Sequence, residues 1–271
     1  MANWVTNIVI TKDSNLIKEK FLTNDRVDFS KVIPCPKEYD TIEYGGSMTY
    51  RPEKNMYIFH DFIVEFKKSK SQEEFVQKIK TREELRPKIL KAIGYNEESL
   101  KFQTIGERVD KDIEVFIRTF YCYHKYGIAD SNEWHNKNWG CKWNGSYTKT
   151  LSDNAIKFET PWSIPFPVYK KLAEQDIDFA VLYADEDLGH NCGLLFFDKD
   201  DNGEISCSVI YRDNLEFACL VKGYSLKDIC TKEEFENLTD DDKLTLNEKK
   251  IINTIKVGYF ELVDKIRTQS V

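Results

Sequence analysis

Apolar and polar residues alternate loosely from Trp4 to Thr11, and that period of two predicts a first strand. Ser14 can cap a short helix through Phe21, and Phe29 to Ile33 reads as a second strand stopped by Pro34 and Pro36. Tyr39 to Pro52 reads as a loop or hairpin turning at Gly45-Gly46. Tyr57 to Phe66 holds Ile58, Phe59, Phe62, Ile63 and Val64, a mixture that predicts a strand buried on both faces.

The period changes at Lys67. Ser71 and Glu74 make a capping box, after which Phe75, Val76 and Ile79, then Leu85, Ile89 and Ile93, recur at helical spacing with Pro87 in the first turn of the second helix. Asp110 to Tyr126 is a third amphipathic helix stopped by Gly127. Beyond it, Asn144-Gly145 predicts a type I′ hairpin pairing Cys141 to Trp143 with Ser146 to Thr150. Strands follow at Ile156 to Thr160, Ile177 to Tyr183, Leu194 to Phe197, Ile205 to Arg212 and Leu215 to Val221, with a helix from Pro167 after the first of them. A capping box at Thr231 and Glu234 and an amphipathic run from Asn247 predict helices at the C-terminal end.

Four of the five tryptophans, Trp134, Trp139, Trp143 and Trp162, fall between positions 134 and 162. Each can bury ~150–250 Å², so with Trp4, Pro165 and Pro167 they are expected to form a structural core. The runs N-W-G-C-K-W (138–143) and F-E-T-P-W-S-I-P-F-P (158–167), with N-W-V-T-N (3–7) and F-S-K-V-I-P-C-P (29–36), resemble the YubB ferredoxin-like family. A looser match is Y-A-D-E-D-L-G-H-N-C-G (183–193). The resemblance implies a ferredoxin-like α+β fold, a mixed or antiparallel sheet with packed helices, encoded by a phage, plasmid or other mobile element of a bacterial host. It implies no activity, because the family has no established common one. The expected organisation is an N-terminal α+β segment (1–66), an inserted helical segment (67–130), a Trp-rich ferredoxin-like core (131–224) and a C-terminal helical segment (225–271).

Composition changes this picture in three ways. No run of apolar residues is long enough for a membrane span, and the first ten residues lack the pattern of a signal peptide, so a cytoplasmic protein with no membrane partner is expected. Seven cysteines without a C-x-x-C pair read as reduced thiols rather than a disulfide framework or zinc site. The net charge of −7 is unevenly spread: Glu174 to Asp242 holds 19 acidic and 5 basic residues, and the remainder 27 and 34. Such asymmetry can steer a partner.

Two binding readings and one catalytic reading follow. In the first, Asp185, Glu186, Asp187, Asp198, Asp200, Asp201, Asp240, Asp241 and Asp242 dock on the basic surface of a host protein, as an inhibitor of a nucleic-acid-targeting defence system of the anti-CRISPR type would. In the second, Lys67, Lys68, Lys70, Lys137 and Lys142, interleaved with aromatic residues around Trp134 and Trp143, contact nucleic acid. In the third, Asp185 and His190 serve a metal-dependent enzyme. An enzyme is the least supported of the three: no Walker, Rossmann, G-x-S-x-G or H-E-x-x-H motif is present. No catalytic residue, metal ligand or cofactor is therefore assigned. Asp198 to Gly203 imitates the start of a calcium loop, but Val209 stands where the bidentate Glu belongs, so it reads as a hairpin turn.

Overall fold

A computed structural model describes residues 3–11, 19–42, 48–55, 58–96, 106–152, 154–175, 177, 179–200, 202–210 and 212–223. These fall into two compact units, one drawn from the residues up to Pro34 and from Asn136 onward, the other from Cys35 to His135. Of the helix expected from Ser14 through Phe21, residues 14–18 lie outside the described residues and 19–21 are helical; the expected helices beyond 224 and the turn at Gly45-Gly46 also lie outside them.

The first unit is built on a six-stranded antiparallel sheet. Its strands are β1 (Trp4–Thr11), β4 (Ser146–Ser152), β5 (Ala155–Pro161), β6 (Phe179–Ala184), β7 (Cys192–Lys199) and β8 (Ile205–Ile210), in the spatial order β4-β5-β1-β6-β7-β8. A two-stranded ribbon, β2 (Leu22–Thr23) with β3 (Arg26–Val27), forms a second sheet beside β4, where Val27 N–H donates to Thr148 Oγ1 at 3.0 Å. β1 pairs antiparallel with both β5 and β6, so those two run parallel to each other, and the helix joining them crosses over β1. A split β-α-β unit of this kind is the centre of an α+β layer.

The register sorts side chains by face. Ile8 and Ile10 pair with Leu182 and Ala180 on one face, and the helix Leu215–Lys222 covers them with Phe217, Ala218 and Val221. Val5, Asn7 and Val9 point to the other face, where Asn7 meets Tyr169 of the crossover helix, Phe166–Ala173. Pro167 lies in the first turn of that helix as expected, where a proline sacrifices no hydrogen bond, and Pro165 is the residue before the helix.

Asn7 is fully buried. Its amide nitrogen donates to Val5 O and Thr160 Oγ1, each 2.9 Å away, and its Oδ1 accepts from the Tyr169 hydroxyl at 2.8 Å. Thr160 donates in turn to Ser163 O at 2.8 Å, and the Ser163 hydroxyl to Gly140 O. Gly140 has φ +84, and a Cβ there would stand 2.6 Å from Pro167 Cδ. The W-G-C and F-E-T-P-W-S-I-P-F-P runs are thus tied together by polar bonds as well as packing.

Four sequence expectations are corrected. Asn144 and Gly145 do not take the left-handed conformations a type I′ turn needs. The Asn144 side chain accepts from Phe29 N–H at 2.8 Å instead, and β4 hairpins with β5. Phe29 to Lys31 is a 3₁₀ turn capped by Asp28, not a strand. Leu215 to Val221 is helical because Asn214 caps Phe217 N–H and Gly223, at φ +81, closes the end. Tyr57 to Phe66 is also helical from Phe59: Ile58, Phe62 and Phe66, four residues apart, present one face to the core of the second unit.

That second unit contains α1 (Phe59–Lys68), α2 (Gln72–Lys80), α3 (Arg86–Ala92) and α4 (Gly106–Tyr126). α5 (Ser131–Asn138) begins in it, and the crossover and covering helices already described are α6 and α7. Ser71 caps α2 through Glu74 N–H, while the Glu74 carboxylate reaches back to Lys70 N–H. Phe120 is central, with the rings of Tyr50 and Phe62 at 4.8 Å and of His124 at 4.2 Å. The aromatic run of α4 is therefore chiefly core; Tyr126 gives its hydroxyl to Glu38.

Two predictions follow. Tyr169→Phe leaves Asn7 Oδ1 buried without a donor and should cost about 1–3 kcal/mol, read as a fall in the chemical-denaturation midpoint; an unchanged midpoint would show the network to be dispensable. Burial holds the pKa of His124 below its usual value. The unfolded chain then binds this proton more readily, so stability should fall as pH drops through about 6.5, and His124→Gln should flatten the thermal-midpoint difference between pH 7.5 and 5.5.

Candidate nucleic-acid interface

The structure disperses the acidic residues. Asp185 is buried, its Oδ1 accepting from Asp187 N–H at 3.1 Å and its Oδ2 from Asn191 Nδ2 at 2.8 Å. Its carboxylate holds the loop between β6 and β7 and is not offered to a partner. Glu186, Asp187 and His190 on that loop are exposed. Asp200 binds Asn202 and Glu204 N–H groups at 2.9 and 2.8 Å, closing the β7-β8 hairpin turn in which Gly203 has φ +81. Asp198 lies at the end of β7, and Asp201 and Asp240 to Asp242 are outside the described residues. β7 separates the two loops by its eight residues, a span of about 25 Å at ~3.3 Å per residue. That is about three Debye lengths at physiological salt, so the loops act as two separate charges.

The basic stretch from Lys67 to Lys91 is largely neutralised. Lys78 pairs with Glu74, Lys80 with Glu114, Arg86 with Asp110, and both Arg82 and Lys88 with Asp61. Lys67, Lys68 and Lys70 are exposed on α1 and just beyond it. Exposed pairs contribute little stability, but they remove charge from a partner's view.

Tryptophan burial divides the expected core. Trp134 packs against Tyr39 in the helical unit. Trp139 packs edge-on against Phe29 in the sheet unit and donates its indole N–H to Ile33 O at 2.9 Å. Trp4 is half-buried. Trp143 is 42% exposed and Trp162 56%, so neither is core. With Tyr147, 75% exposed, they gather at one corner of the sheet where β1 and β4 begin and β5 ends. Trp4 lies 6.2 Å from Trp143 and 5.9 Å from Tyr147, ring to ring, and Trp162 N–H donates to Asn3 O at 2.7 Å.

Two of these rings are held out by unusual backbone. Tyr147 has φ +51 and Trp162 φ +69, left-handed values that cost a bulky residue about 1–2 kcal/mol. Tyr147 sits where the β4-β5 register breaks between Ser146 and Lys149, and a bulge of that kind re-aims a side chain. Lysines rim the corner. The Lys142 ammonium lies 4.9 Å from the Trp143 ring centre, and Lys149 is exposed on β4 opposite Lys157 on β5. Lys222, the last residue of α7, donates to Trp4 O at 3.1 Å. Burial lowers the pKa of Lys157 and of Lys222, which reduces the cost of handing each ammonium to an anion. Glu159 stands on the same face between them and the aromatic rings.

Lys142 and Trp143 are the members of this corner that the interleaving of bases and aromatics singles out in the sequence. Tyr147, Lys149, Lys157, Trp162 and Lys222 are not singled out so, because a bulge, a positive φ and a cross-strand register bring them together. Lys137 is exposed on α5.

Among the described residues one cysteine and histidine approach each other. Cys35 Sγ lies 3.6 Å from His135 Nε2, but burial, with Asp40 nearby, pushes the thiol up to about 11, away from the reactive thiolate. Among the described residues no three His, Cys, Asp or Glu side chains converge as a metal site requires, and no helix is long and apolar enough to cross a membrane.

Residues 138–236 match a family model described as a ferredoxin-like domain in Api92-like protein. The match covers β4 to β8 with α6 and α7 and agrees with the split β-α-β order. No curated protein and no solved structure matches the chain.

Asp185→Ala should free the β6-β7 loop while leaving the sheet intact: faster amide exchange at Asp187 and Asn191 with unchanged exchange in β1 is the expected result. Equal loss of protection in β1 would assign Asp185 to the core instead.

Proposed function

We propose that the chain is a binding protein that takes single-stranded nucleic acid on the aromatic and lysine corner formed by Trp4, Trp143, Tyr147 and Trp162. The observation that carries the reading is the exposure of three large rings, two on strained backbone, beside Lys142, Lys149 and Lys157. Bases stack on exposed rings for about 1–3 kcal/mol each, largely irrespective of sequence. The lysines meet the phosphates and make affinity fall with salt. Catalysis has no part in this reading.

A second reading is favoured by the β6-β7 loop, where Asp185 fixes the backbone and leaves Glu186 and Asp187 exposed. A preorganised acidic loop suits docking on a basic surface of a host protein. A mobile-element product that blocks a nucleic-acid-targeting defence, anti-CRISPR in type and cytoplasmic in its host, would use it so. The YubB resemblance supplies that setting. The corner ranks first because its groups converge, whereas the acidic ones are split between two ends of β7.

Fluorescence anisotropy with labelled oligo-dT and oligo-U at low salt tests the first reading. The wild type should bind, and Trp143→Ala, Tyr147→Ala or Trp162→Ala should each weaken binding about 5- to 150-fold without lowering thermal stability. No binding at low salt, or binding indifferent to all three substitutions, would overturn it. Glu186→Lys with Asp187→Lys should leave this binding intact and abolish capture of a basic protein if the second reading holds.

A further inference from the structure

The outer strands of the six-stranded sheet are guarded unequally. β4 carries Lys149 and two breaks of register against β5, and β3 packs beside it. Charges and bulges of this kind keep a sheet edge from taking up another chain. β8 has neither. Ile205 to Ile210 reads Ile-Ser-Cys-Ser-Val-Ile, without a charge or a proline, and its register against β7 is unbroken. Among the described residues no strand pairs with its outer edge, and Ser206, Cys207 and Ser208 are exposed.

We infer that β8 is a homodimer interface, at which β8 of a second copy of this chain adds antiparallel across a twofold axis through Ser208. A twofold contact must be self-complementary. With the axis at Ser208, Cys207 faces Val209 of the second copy and Ser206 faces Ile210, small or apolar pairs throughout. The flanking charges choose this register. Glu204 immediately precedes β8 and Arg212 lies in the turn after it, so the antiparallel twofold brings Glu204 of each copy to the end of the joint sheet where the other's Arg212 lies, giving two opposite-charge pairs. Both residues are exposed, and neither has an ion-pair partner among the described residues. A slip in either direction moves Glu204 of one copy away from Arg212 of the other. The product is one sheet continuous through both copies, with backbone hydrogen bonds supplying affinity and the end charges supplying register. A strand from a different protein would gain the same backbone bonds but not the reciprocal Glu204-Arg212 match.

Sedimentation velocity of the full chain over a concentration series tests this. The wild type should form a dimer. Ser208→Lys, which places like charges on the axis, should give a monomer with unchanged circular dichroism and melting. Glu204→Lys and Arg212→Glu should each raise the dimer Kd about tenfold or more, and the double variant should restore it. A merely structural role for either residue would not produce that rescue. In a Cys207→Ser background, Ser208→Cys should give a covalent dimer on mild oxidation. A wild type that stays monomeric at every concentration, or a dimer that ignores Ser208→Lys and the charge exchange, would overturn the inference.

Discussion

Asn7 stands in the middle strand of the sheet with no exposure, and a buried amide left without partners costs far more than a matched one returns. Its oxygen takes the Tyr169 proton, and its nitrogen serves Val5 O and Thr160 Oγ1. Burial pushes the Tyr169 phenol well above its ordinary pKa, so the hydroxyl stays a donor. This arrangement fixes three elements at once: β1 against β5, β5 against the turn at Ser163, and α6 above β1. An apolar residue at position 7 would still fill space, but it would leave the register of β1 to packing alone. A one-residue slip reverses every side chain of a strand, so a directional bond at the centre decides which face carries Ile8 and Ile10.

The segment that matches the ferredoxin-like family model begins at residue 138 and so lacks the strand at the centre of its own sheet. β1 comes from the other end of the chain. Between them, Cys35 to His135 form a compact unit with a separate aromatic core around Phe120. The sheet unit is therefore closed by a long-range contact, Asn7 to Thr160 and Tyr169, rather than by neighbouring hairpins. Contacts so distant in sequence are costly to form early in folding.

Element type was readable where a single period dominated. Trp4 to Thr11, the α2 cap at Ser71, the Gly127 stop and the Pro167 start all follow from local chemistry that tertiary packing had no reason to override. Leu215 to Val221 differs from its expectation because seven residues with six apolar side chains suit strand or helix equally; Asn214 and Gly223, its caps, are the better evidence. Tyr57 to Phe66 is the same case: its apolar residues suit a strand with two buried faces as well as the helical face that Ile58, Phe62 and Phe66 form. Asn144-Gly145 shows the opposite error, a strong turn signal overridden because the Asn side chain is engaged by Phe29 N–H and a Cβ at Gly145 would stand 2.7 Å from Val27.

Charge counted along a chain and charge presented in space are different quantities, and here they part company. The run from Glu174 to Asp242 is strongly acidic, yet β7 carries two of its clusters to opposite ends of a strand, and Asp185 is spent inside its own loop. Basic residues from Lys67 to Lys91 meet carboxylates within their own unit. What converges instead is a set of residues no composition window would group: Trp4 and Trp162, joined through the β1-β5 register, and Tyr147, thrown outward by a bulge. Holding a tyrosine and a tryptophan in left-handed backbone costs stability, and both rings remain more than half exposed. Strain of this kind persists where the surrounding structure over-determines it, and the Trp162 N–H bond to Asn3 O together with the β4 bulge does that here. The exposed rings are thus a consequence of the same sheet geometry that buries Asn7, which is why the aromatic corner and the most constrained part of the fold share β1 and β5.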